Sequence, residues 1–143
     1  MAAPHKDEVR MQPREAARRW ATTWAASWPL QDVESIVKLQ AEDGDHWASM
    51  FRPLRGRAGL SSYLAECFAE ETQAAEAWFG EPTVDGTRAC VEYWVIMYIN
   101  GEPITVSGCT VLTFDGHGLV KVARDYSHAL PGRHERPSQA FAD

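Results

Sequence analysis

Asp125 and Tyr93 are the two side chains of this 143-residue sequence best matched, by type and spacing, to moving a proton. Asn100-Gly101 and Asp115-Gly116-His117-Gly118 each read as a hairpin turn, because Asn, Asp and Gly accept positive φ. With residue 99 set opposite 102 and 114 opposite 119, Gly108 falls between Tyr93 and Asp125 on one face of a sheet. Gly108 has no side chain and leaves a niche there. Two strand spacings, roughly 10 Å, can be closed by a Tyr and an Asp together. A carboxyl held by a phenol away from water has a raised pKa and can act as general acid or base. The competing role is structural, with Asp125 accepting hydrogen bonds that tie the sheet together. The same register sets Cys109 between Glu92 and Arg124 on the opposite face, where the two charges are expected to pair.

Other apparent motifs fail on chemistry. Asp43-Gly44-Asp45 is no calcium loop, because Leu54 stands where the closing Glu should be. Gly116-His117-Gly118 lacks a third glycine and sits in a hairpin, so it is no dinucleotide site. His5, His46, His117, His128 and His134 have no metal-binding spacing with Cys67, Cys90 and Cys109. The three cysteines, odd in number and set in apolar patterns, read as buried thiols. Ser35-Ile-Val-Lys38 is a chance string on a helix surface. Neither a metal nor a cofactor is expected.

The elements that must position Asp125 and Tyr93 follow from hydrophobic periodicity. Residues 1–12 are expected to be a loose segment. Pro13 suits a first helical turn, Pro29 is expected to end that helix, and Ala17, Trp20, Ala21, Trp24 and Trp28 share one helical face. Asp32 is a good N-cap for a second helix with Val33, Ile36 and Val37 inward. A short extended stretch runs from His46 to Phe51. Leu60, Tyr63, Leu64, Cys67 and Phe68 then form a helical stripe, with Glu66, Glu70 and Glu71 outside it. Beyond it four extended runs, about 75–84, 87–99, 103–114 and 119–128, predict an antiparallel meander. Residues 129–143 read as a polar tail or lid.

Charge and composition exclude some partners. Fourteen Lys and Arg against 20 Asp and Glu give a net charge of −6, which disfavours nucleic acid. The longest uncharged apolar run, Tyr93 to Ile99, is far too short for a membrane span. The charged N-terminal segment lacks the apolar run of a signal peptide, so the cytoplasm is the expected location. The strand 87–99 is apolar on both faces: Val91, Tyr93, Val95 and Met97 on one, Cys90, Trp94, Ile96 and Tyr98 on the other. Helices can cover one face, and a second copy of the chain is the expected cover for the other, through Trp94, Ile96, Val120, Val122 and Tyr126.

The segment Asp32-Val-Glu-Ser-Ile-Val-Lys-Leu-Gln-Ala-Glu-Asp43, then Gly56, Asn100-Gly101, Thr113-Phe114-Asp115 and the closing Arg124-Asp125-Tyr126, resembles the nuclear transport factor 2-like superfamily. Within it the likeness is to SnoaL-like polyketide cyclases and ketosteroid isomerases, and it covers residues 13–128. The resemblance implies an α+β cone, a curved antiparallel sheet wrapped around N-terminal helices in the order α-α-β-α-β-β-β-β. It also implies a deep apolar pocket and a homodimer packed through the outer sheet face.

Function transfers less readily than fold. The general base of the ketosteroid isomerases falls near Ala48, their oxyanion Tyr near Trp24 and their second oxyanion acid at Thr110, so that residue set is absent. Of the Arg and two Asp of limonene epoxide hydrolase, only the Asp of the Arg-Asp-Tyr motif has a match, Asp125. The resemblance points Tyr93, Val95, Met97, Thr110, Leu112 and Asp125 into the pocket. Trp24, Trp28 and Tyr63 are expected to line it and stack on a ring-shaped ligand. His46 is placed at the pocket rim, as a third candidate for proton transfer or as a rim histidine. The expected ligand is a hydrophobic small molecule. The chain is read as a cyclase, isomerase, dehydratase or hydrolase, or alternatively as a non-catalytic binding or dimerisation module.

Overall fold

The computed structural model describes residues 10–138. Helix α1 (Pro13–Leu30) begins on Pro13, whose missing N–H costs nothing in a first turn. Pro29 does not end it: the helix runs one residue further and closes on Gln31, in the left-handed region at φ 55°. Helix α2 (Val33–Val37) is capped by Asp32, whose carboxylate accepts from the Ser35 N–H at 3.1 Å. Helix α3 (Gly56–Glu70) buries Leu60, Leu64 and Phe68. The residues expected to be loose before Pro13 are described only from Arg10, and Met11 packs on the core.

The strands are β1 (Gln40–Ser49), β2 (Arg52–Arg55), β3 (Glu71–Phe79), β4 (Thr83–Asp85), β5 (Arg88–Ile99), β6 (Glu102–Phe114) and β7 (Val120–Pro131). They form one seven-stranded sheet in the order β2-β1-β7-β6-β5-β3, with β4 also on β5. The architecture is the expected α+β cone, with two corrections. The sheet is mixed, because β1 runs parallel to β7 while the remaining pairs are antiparallel. The stretch expected at 46–51 is a ten-residue strand followed by β2, and the run at 75–84 is two strands.

Asn100 (φ 54°) and Gly101 (φ 77°) make the expected tight turn and set Ile99 opposite Glu102. The β6–β7 hairpin departs from expectation. The turn sets Phe114 opposite Val120, one residue past the expected Leu119, and a bulge between Thr113 and Phe114 then sets Thr113 opposite Val122. Asp125 therefore lies opposite Thr110, and Gly108 opposite Ser127. The bulge also turns Val120 inward, so this residue, expected on the outer face, is 2% exposed in the main core. Arg124 lies opposite Val111 and Trp47, and it makes no ion pair with Glu92 among the described residues.

The core lies between the sheet's concave face and the helices, around Ala17, Trp20, Trp24, Ile36, Leu60, Leu64, Val91 and Leu112. Residues 129–131 continue β7 instead of opening a tail. At Gly132 (φ 100°) the chain turns back across the outer face of the sheet. Thr105 Oγ1 donates to the Gly132 carbonyl at 2.8 Å and accepts from the His134 N–H at 3.0 Å. Trp94 Nε1 donates to the His134 carbonyl at 2.8 Å. Arg133 forks onto Glu76, and the Arg136 guanidinium sits 4.1 Å from the centre of the Trp78 ring. This strap covers Ile96, directly opposite Thr105, which explains part of the two-sided apolar character of β5.

Candidate active site

Between α1, α3 and the concave sheet face lies a cavity of about 230 Å³. Trp20, Trp24 and Trp28 form its α1 wall, because spacings of four residues repeat nearly in phase with the helix. Neighbouring rings stand 5.7 and 5.8 Å apart at tilted and edge-on angles, a favourable arrangement for aromatic quadrupoles. Tyr63, Cys67 and Phe68 of α3 form a second wall, and Phe79, Tyr93, Met97, Thr110, Asp125 and Ser127 supply the sheet wall.

Tyr93 Oη donates to Asp125 Oδ1 at 2.6 Å. The phenol reaches across Gly108, where an added Cβ would lie 2.7 Å from Tyr93 Oη and 2.6 Å from the Tyr126 carbonyl oxygen. Burial raises the Asp125 pKa, and hydrogen bonds from Tyr93, Ser127 and Thr110 oppose the rise. Burial and the adjacent carboxylate both push the Tyr93 phenol well above its ordinary value, so it stays protonated and donates. Three hydroxyls thus converge on one carboxyl at an aromatic-lined cavity.

His46 lies inside the cavity, not at its rim: it is 7% exposed, its ring stacked at 6.3 Å and 20° on Trp24 and 6.1 Å from Tyr63. Burial lowers its pKa to about 4, so the imidazole is neutral near pH 7. Of the residues expected to bind a ligand, Trp24, Trp28, Tyr63, Met97 and Thr110 line the cavity. Val95 and Leu112 do not. They face the same way, but both are fully buried in packed clusters.

Glu71, placed outside the α3 stripe by sequence, is a lining residue. It accepts from Trp28 Nε1 at 3.2 Å, and burial raises its pKa to about 7. The signal was present, since Glu71 continues the three- and four-residue spacing of Leu60, Leu64, Cys67 and Phe68. Ser127 could be found by the two-residue strand period from Asp125, and Phe79 by the same period from Ala75 and Ala77. Ala48, Trp24 and Thr110, the positions matched to the ketosteroid isomerase machinery, all line the cavity without its chemistry. Among the described residues no group of three or more His, Cys, Asp or Glu is arranged to hold a metal ion, and no helix is long and apolar enough to cross a membrane.

Comparison with solved structures places this architecture among known folds. The chain is similar to a hypothetical protein with a ketosteroid isomerase-like fold from Catenulispora acidiphila, solved in complex with trimethylamine. The two are 23% identical over 73% of this chain and 82% of that one, with a TM-score of 0.64. It is similar to SalBIII, an epoxide hydrolase/cyclase-like enzyme of pyran ring formation in the polyether salinomycin, at 17% identity over 80% and 94% of the two chains and a TM-score of 0.67. It is likewise similar to an LEH-like epoxide hydrolase from M. tuberculosis, at 17% identity over 82% and 86% of the two chains and a TM-score of 0.67. No curated protein matches the sequence. The SnoaL-like domain matches residues 17–123, most of the cone and all three cavity walls up to β7. The chain belongs to the SnoaL-like domain family.

Proposed function

We propose that this protein catalyses acid–base chemistry on a hydrophobic, ring-containing small molecule, with Asp125 as the proton carrier. The observation that carries this reading is the Asp125 carboxyl, held at 2.6 Å by Tyr93 in a cavity walled by aromatic rings. A carboxyl with a raised pKa is partly protonated nearer neutral pH and can deliver a proton to a leaving or opening oxygen. Once ionised, it can withdraw a proton from a hydroxyl or an activated carbon. Tyr93 positions it and, remaining protonated, steadies the negative charge after the proton leaves. His46 is neutral and offers one N–H and one lone pair to the substrate or to a water. The flat faces of Trp24, Trp28 and Phe79 suit a ring.

Cyclase or hydrolase chemistry fits this geometry best, and two of the structural neighbours are described as epoxide hydrolase or cyclase-like enzymes. Ring closure and epoxide opening both need one proton delivered to oxygen and one removed from a nucleophile. Isomerase chemistry of the ketosteroid type fits less well, because Ala48, Trp24 and Thr110 cannot supply its base and oxyanion donors.

The test is mass spectrometry of molecules that co-purify with the protein, followed by turnover of the identified compound. Asp125→Asn keeps the shape and removes the titration, so it should lower the rate by about 10²-fold or more while binding is largely kept. Equal turnover by the variant removes Asp125 as proton carrier. Binding without conversion by the wild-type protein favours a carrier of the same molecule.

A further inference from the structure

The cavity is lined by three carboxylates, Glu70, Glu71 and Asp125, and by no Lys or Arg. On its α3 side the Arg52 guanidinium lies 5.0 Å from the centre of the Tyr63 ring and 3.9 Å from Glu66, and Arg52 is not among the lining residues. The strand register separates two of the carboxylates. Asp125 stands opposite Thr110, which stands opposite Val91, whereas Glu71 stands opposite Ile99, eight residues further along β5. Asp125 therefore serves one end of the cavity and Glu71 the other, where α3 gives way to β3.

Glu71 is half-buried, and among the described residues its hydrogen-bond donor is the neutral indole of Trp28, at 3.2 and 3.3 Å to its two oxygens. No Lys, Arg or His among the described residues forms an ion pair with it. The rings of Trp28 and Phe68, 6.4 Å apart, stand beside it. A half-buried carboxylate without a paired cation, in a cavity walled by aromatic rings, is the surrounding in which a protonated or quaternary nitrogen gains both Coulomb and cation–π attraction. An anionic ligand would meet three carboxyl groups and no Lys or Arg among the lining residues.

We propose that the ligand of this cavity carries a cationic nitrogen beside its ring, with the nitrogen seated against Glu71 and Trp28 and the ring body extending toward Asp125. The inference rests on the reading of the cavity as a small-molecule site and adds the chemical class of the molecule. The elevated Glu71 pKa is the response expected of a carboxyl whose counter-charge arrives with the ligand.

The experiment compares two probes of the same shape, benzyltrimethylammonium and the uncharged neopentylbenzene, by tryptophan fluorescence of the full chain at pH 8. The charged probe should bind at least about tenfold more tightly. Glu71→Gln, which retains side-chain size, should bring the two probes to within about threefold without weakening the neutral one. Asp125→Asn should keep the preference for the cation. Unchanged neutral-probe binding by Glu71→Gln shows that the variant is folded. Glu71→Lys supplies a second variant and should reverse the preference. Equal binding of both probes by the wild-type protein, or a preference that survives Glu71→Gln, overturns the proposal while leaving acid–base chemistry at Asp125 standing. Binding of neither probe overturns both.

Discussion

The Tyr93 hydroxyl reaches Asp125 Oδ1 at 2.6 Å by lying over the bare backbone of Gly108, the residue directly opposite it on β6. One absent side chain lets two strands that are not neighbours in the sheet share a hydrogen bond. The local geometry leaves no room for a methyl group. Gly108→Ala would place its Cβ 2.8 Å from Tyr93 Cζ and 2.6 Å from a backbone oxygen that cannot swing aside. Overpacking of this kind costs about 1–3 kcal/mol, and the phenol must leave Asp125. Urea denaturation should show that loss, and a variant within about 0.5 kcal/mol of wild type would mean that the niche is not tight.

His46 makes a pH-dependent contribution whose sign is fixed by its lowered pKa. In the unfolded chain its pKa is near 6.5 and in the folded protein about 4, so the unfolded state binds more protons between these values. Stability linked to His46 is complete above pH 6.5 and is lost as pH falls toward 4. The shift corresponds to on the order of 3 kcal/mol. Chemical denaturation of wild type and His46→Asn at pH 7 and pH 4 should show the wild type losing more stability than the variant. Parallel losses would mean that the imidazole is hydrated in the folded protein.

The outer sheet face is divided between the strap and open surface. Gly132 to Arg136 crosses the β3–β5 side, while Tyr126 is 46% exposed and Leu130 57% exposed on β7. Our proposal is that a second copy of the chain covers this open part, which makes the protein a homodimer with the strap at the edge of its interface. Sedimentation at micromolar concentration should give a dimer. Tyr126→Glu, which sets a charge in the open patch, should give a folded monomer. A monomeric wild-type protein ends this proposal.

Much of the cone was legible in the sequence because its signals are local. Asn100-Gly101 fixed one hairpin to the residue, since positive φ at both positions leaves one register open to the flanking strands. Asp32 marked a helix start and the tryptophans at 20, 24 and 28 marked a helix face, both properties of a few adjacent residues. The face on which Asp125 lies was legible for the same reason, although its strand partner was not. The turn moved β7 by one residue against the expected pairing and the bulge at Thr113 and Phe114 by one more, and a slip of two returns every side chain to its own face. Asp125 thus met Tyr93 diagonally across Gly108.

Other features needed the assembled chain. The parallel pairing of β1 with β7 joins residues about eighty positions apart, and no turn residue specifies it. Val120 faces the core because the bulge inverts one local alternation, a change decided by packing against Leu39 and the α1 face and not by the composition of the strand. His46 and Glu71 are polar residues whose types suggest exposure, and only the closure of helices over the sheet buries them and shifts their proton affinities in opposite directions. The residues with candidate chemistry were written in the sequence. Their distance from water, which sets what that chemistry can be, was decided by the tertiary structure.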